Sequence, residues 1–131
     1  NHIDLKQHDK DAITEREAGQ KLYERLKTWY TISGSTKLIP VGHNVAFDIR
    51  RVTNTLVSRG SWDSFVSYRV LDTCTIAQFL KMTNKLPNSL TCSLVNLGDY
   101  FNCRPLGGKP HEAEYDTLLE LKVWKKLTTY V

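Results

Sequence analysis

No run of apolar residues in this 131-residue chain approaches the roughly 18 that a membrane-spanning helix needs. A signal-peptide pattern is also missing. Cysteine is scarce. Cys74, Cys92 and Cys103 are odd in number, far apart and never in a Cys-x-x-Cys pair, so zinc and dithiol redox motifs have no support. Reduced, buried thiols in a cytoplasmic protein are the expectation. The single methionine is Met82 and the first residue is Asn1, which leads us to expect sequence upstream. There are no repeats and no low-complexity tract. What remains is an ordinary globular composition, enough for one domain at most. The net charge of +4 and pI near 9.0 permit a polyanionic partner without requiring one.

The residues with most to say lie near the end, in Pro110-His111-Glu112-Ala113-Glu114-Tyr115-Asp116. Leu118, Leu119, Val123, Trp124 and Leu127 follow at helical spacing. Counted back from Val123 and Leu119, Asp116 falls on the same stripe and is expected to face inward. An inward carboxylate needs a cation, a donor or a shifted pKa, because an unpaired buried charge is costly. His111 precedes Asp116 by five positions, which is about 140° around a helix. The two converge only if His111 stands at or before the helix start. Gly107-Gly108-Lys109-Pro110 favours that, since glycine loosens the backbone and proline disfavours helix at the residue before it. Glu112 and Glu114 read as complements to the positive end of the helix.

Earlier in the chain, residues 1–12 are a polar loop rich in His and Asp with no diagnostic spacing. Thr14-Glu15-Arg16-Glu17 fits a capping box, and the helix after it runs to about Tyr30 on Ala18, Leu22, Leu26 and Trp29 or Tyr30. Lys37–Val41 is a short strand, with Pro40 suited to its edge or end. Gly42-His43-Asn44 then turns the chain into a helix that Asn44 can cap and Gly60 can stop. Its stripe is Asp48, Val52 and Leu56, so Asp48 repeats the pattern of Asp116. Two inward carboxylates repel if they meet, and a divalent metal between them resolves the conflict. Val66–Leu71 is a second strand, and Asp72 caps the helix through Ile76, Phe79 and Leu80. A further helix is expected from about Leu90 to Phe101. Two short strands make a poor sheet for five helices, so further strands come from elsewhere or the domain is mainly helical.

Gly42-His43-Asn44-x-x-Phe47-Asp48 resembles the second motif of the DEDDh 3′–5′ exonucleases, and His111-x-Ala113-x-x-Asp116 resembles the third. Asp72-Thr73 and the Asn88-Ser89-Leu90 helix start resemble the segments between them. The resemblance covers the whole chain and implies an α/β, ribonuclease H-like fold with a mixed sheet flanked by helices. It also implies a first motif, Asp-x-Glu on the first strand, and none stands ahead of Gly42. Residues 1–131 are therefore expected to be the C-terminal two-thirds of a single exonuclease domain whose N-terminal strands are missing from this chain.

The implied chemistry is two-metal phosphodiester hydrolysis of DNA or RNA to nucleoside 5′-monophosphates, with Mg²⁺ or Mn²⁺ as cofactor. Asp48 and Asp116 would be metal ligands. His111 would be the general base, histidine being the side chain that exchanges protons near neutral pH. Arg50, Arg51, Lys81, Lys85 and Lys109 are candidate phosphate contacts. The implied partners are the 3′ end of a single-stranded nucleic acid and a polymerase or a second chain supplying strands, with no membrane. The alternative is a non-catalytic DEDDh-like module that binds nucleic acid or a protein partner.

Overall fold

A computed structural model describes residues 12–130. The polar stretch 1–11, with its His and Asp residues, lies outside the described residues. Among the described residues the chain is helix-rich with one two-stranded parallel sheet, and it divides into two compact units.

The first unit holds residues 12–40 and Ala46–Val70. Helix α1 (Glu15–Ile32) begins at a complete capping box: the Thr14 hydroxyl accepts from the Glu17 N–H, and the Glu17 carboxylate accepts from the Thr14 N–H. Leu26 is buried, and Tyr30 rather than Trp29 turns inward. The rings of Tyr23 and Tyr30 each meet the Phe65 ring edge-on at 5.5 Å. Gly19 lies directly on the Leu56 carbonyl, so close that any β-carbon there would overlap the oxygen. Leu38 and Val66 form an isolated parallel bridge, so both expected strand segments pair, although neither forms a long strand.

Helix α2 (Val45–Thr55) stops short of the expected end near Arg59, and Gly60 is no stop signal. The Ser58 hydroxyl accepts from the Ser61 N–H and opens a separate helix, α3 (Arg59–Phe65), with Gly60 inside it. A good cap two residues upstream outweighs the breaking tendency of one exposed glycine.

The second unit holds Val41–Val45 and residues 71–130. Strands β1 (Val41–Gly42) and β2 (Leu71–Asp72) pair in parallel, Val41 opposite Leu71 and Gly42 opposite Asp72. Helix α4 (Thr73–Met82) follows β2 without a break. Helix α5 (Leu94–Tyr100) starts later than expected: Leu90 closes a turn onto the Pro87 carbonyl, and Ser93 supplies the cap. Helix α6 (Ala113–Leu127) and a 3₁₀ turn (Thr128–Tyr130) complete the unit. The buried stripe of α6 is Tyr115, Leu119, Val123 and Leu127, in steps of four. It packs on α4 and α5 around Ala77, Leu80, Leu97 and Cys103. Gly98 of α5 lets the Leu119 side chain approach closely. The three cysteines are free thiols, two buried and one partly so. No helix among the described residues is long and apolar enough to cross a membrane.

Candidate functional site

The turn that launches α2 is built by long-range bonds. Gly42 is required by space, because a β-carbon there would sit 2.8 Å from a Val45 methyl carbon. Asn44 takes the left-handed conformation at φ 57°, which asparagine tolerates better than most residues. The first amides of the helix are taken by Asp72: its Oδ2 accepts from Val45 N–H at 3.0 Å and its Oδ1 from Asn44 N–H at 3.3 Å. Asp72 Oδ1 also accepts from the Cys74 and Thr75 amides, the capping role expected of it. One carboxylate thus serves two helix starts, where negative charge is favoured twice over. The parallel pairing of β1 and β2 makes this possible by setting the ends of both strands side by side.

His43 occupies the centre of that turn. Its Nδ1 lies 2.9 Å from the hydroxyl of Thr73, which is fully buried, and that hydroxyl donates to Glu120 Oε2 at 3.2 Å. The hydroxyl joins the turn after β1, the start of α4 and the middle of α6. Glu120 escaped the sequence reading. Its signal was the second stripe of α6, Asp116, Glu120 and Trp124, four apart and all half-buried. Burial pushes the His43 imidazole below its usual value of about 6.5, against the opposing pull of Asp72 and a bond to the Cys92 backbone. The folded chain therefore takes up this proton at lower pH than the unfolded chain, and stability is lost as pH falls from about 6.5 toward the depressed value. We expect the melting temperature to drop between about pH 7 and pH 5, and His43→Gln to flatten part of that drop. Identical pH dependence in the two proteins would remove His43 as a cause.

Asp48 lies in the first turn of α2 but is exposed, not inward. The half-buried side of that helix carries Ile49, Val52, Thr53 and Leu56, and Asp48 falls at its edge. Asp116, in the first turn of α6, is half-buried beside the stripe headed by Tyr115. His111 precedes α6, exposed and left-handed at φ 73°, and its N–H donates to Asp116 Oδ1 at 3.2 Å. His111 thus stands before the helix start, the condition the spacing sets for the two to converge, and the tie itself is made by its backbone N–H. Glu112 accepts from the Lys109 N–H and holds the loop.

Two of the candidate phosphate contacts are structural ties. Lys81 Nζ donates to the Leu90 carbonyl at 2.6 Å, and Lys85 Nζ to the Tyr130 carbonyl at 3.3 Å. Arg50, Arg51 and Lys109 are exposed. Among the described residues no three His, Cys, Asp or Glu side chains gather to hold a metal. Among the described residues the chain is helix-rich with a small two-stranded parallel sheet, and a histidine and an aspartate stand at the start of helix α6. No family model, no curated protein and no solved structure matches the chain.

Proposed function

We propose that the chain is the C-terminal two-thirds of a DEDDh 3′–5′ exonuclease domain of ribonuclease H-like fold. In this reading it cuts phosphodiester bonds of DNA or RNA at the 3′ end of a single strand and releases nucleoside 5′-monophosphates. The observation that carries the proposal is the bond from the His111 N–H to Asp116 Oδ1 at 3.2 Å. It starts a proton-accepting imidazole and a carboxylate from the same corner, with the histidine on a loop outside the helix. Support also comes from Gly42–Asp48, which forms the end of a strand, a tight turn and a first helical turn bearing Asp48. The sheet points the same way. Val41 and Leu71 are 39% and 38% exposed although parallel strands are ordinarily covered on both faces, which suits a sheet that receives further strands.

Carboxylate oxygens are the donors that Mg²⁺ and Mn²⁺ prefer, so Asp48 and Asp116 fit in kind. In number they fall short, and the proposal assigns the rest of the ligand set to an Asp-x-Glu motif outside this chain. Bound ions would stabilise the charge that builds on the phosphate. The part of this chain is to hold them through Asp48 and Asp116 and to take a proton from water at His111. A second chain that supplies strands, or a polymerase, is a partner consistent with this reading.

The test is Mn²⁺-dependent release of 5′-mononucleotides from 3′-labelled single strands by a protein that includes the upstream motif. Asp48→Asn and Asp116→Asn should each abolish release, because an amide is a much poorer ligand for a hard cation. Strand binding without any release would leave the non-catalytic module instead.

A further inference from the structure

The first unit contains a cleft of about 500 Å³ between α2, the start of α3 and the segment that leads to β2. Its lining includes Ile49, Arg50, Thr53, Arg59, Tyr68 and Val70. Asp48 belongs to the opposite side of α2, since residues 46, 50 and 53 share one face and residue 48 points the other way at about 100° per residue. The cleft therefore opens on the side of α2 away from Asp48.

Three features distinguish it from ordinary solvated surface. Tyr68 is 80% exposed, an unusual place to leave a large ring. The Arg69 guanidinium lies over one face of that ring, 5.3 Å from its centre, so a base would stack on the other face. Arg50 has no carboxylate paired with it among the described residues, and Arg59 shares its charge with Asp63 at 3.2 Å on the exposed rim. The Arg50 charge, a ring open on one face and the Thr53 hydroxyl thus meet in one recess.

We infer that this cleft binds single-stranded nucleic acid, with a base stacked on Tyr68 and the flanking phosphates on Arg50 and Arg59. A stacking ring set among arginines is the pairing that sequence-tolerant single-strand binding uses. An acidic peptide would satisfy the arginines but gives Tyr68 nothing flat to stack on. The ligand class rests on the nuclease reading above; the cleft does not. Set on the side of α2 away from Asp48, it would hold a strand without occupying that carboxylate.

The experiment measures fluorescence anisotropy of the 131-residue chain with a labelled oligothymidylate of about 12 nucleotides and with an abasic strand of equal length. Tyr68→Ala is expected to weaken oligothymidylate binding about tenfold and to leave abasic binding unchanged. Arg50→Ala should weaken both and reduce the dependence of log K on log salt by about 0.7, the value for one phosphate contact on a single strand. Both side chains are exposed, so both variants should melt like the parent. Equal affinity of parent and Tyr68→Ala for oligothymidylate would overturn the proposal, and so would displacement of the strand by polyglutamate at equal charge concentration. Hydrolysis is measured separately. A chain that binds in this way but belongs to no active nuclease keeps the cleft and loses the nuclease reading, whereas a nuclease indifferent to Tyr68 and Arg50 does the reverse.

Discussion

His111→Ala, in a protein that includes the upstream acidic motif, is expected to slow Mn²⁺-dependent mononucleotide release by about 10²- to 10⁴-fold, the usual contribution of a positioned general base. Oligonucleotide affinity should change little, because the imidazole would accept a proton in the reaction and not grip the strand. The fold should survive too. The bond that ties this loop to α6 runs from the His111 backbone N–H to Asp116, and it does not need the side chain. The one complication is the left-handed backbone at φ 73°, which alanine tolerates less well than histidine. His111→Asn settles that point. Asparagine accepts the left-handed region readily but cannot act as a base, so it should lose as much activity as alanine while melting at the parent temperature. If release persisted in both variants, His111 would be a loop residue and the chemistry would need another base.

The same corner shows which parts of the structure the sequence could convey. His111 and Asp116 are five residues apart, and proline and glycine chemistry just before them decides whether the two can meet; all of that is local. Thr14 and Glu17 are local as well, and their capping box formed as read. Asp48 was misplaced by one step of phase. A stripe drawn through Val52 and Leu56 includes it, but the inward side of α2 also takes in Ile49 and Thr53, which swings Asp48 to the outer edge. Asp72 was legible as the cap of α4 and not as the partner of Asn44 and Val45, residues 28 and 27 positions away. That second role exists only because β1 lies beside β2, a fact of pairing that no periodicity encodes. The link from His43 through Thr73 to Glu120 spans a still longer stretch of chain. A buried threonine hydroxyl gives no pattern in sequence, whereas its two partners, once placed, leave it little choice.

Leu119→Ala is expected to destabilise the chain by about 2–5 kcal/mol, the range for a fully buried leucine. Leu119 has no exposed surface and sits at the centre of α6 against α5. Its particular neighbour makes a sharper test possible. A β-carbon on Gly98 would come 2.6 Å from Leu119 Cδ1, so Gly98→Ala overpacks the same spot from the other side. That substitution should cost about 1–3 kcal/mol from strain, less up to about 1 kcal/mol regained because alanine favours helix over glycine. In the double variant the new methyl group enters space that the lost leucine carbons vacate. The combined loss should therefore be smaller than the sum of the single losses by at least about 1 kcal/mol, as for residues in direct contact. Urea midpoints at constant m-value measure all three losses. Strict additivity would mean that Gly98 and Leu119 do not touch, and the packing of α5 on α6 described here would then be wrong at its tightest point.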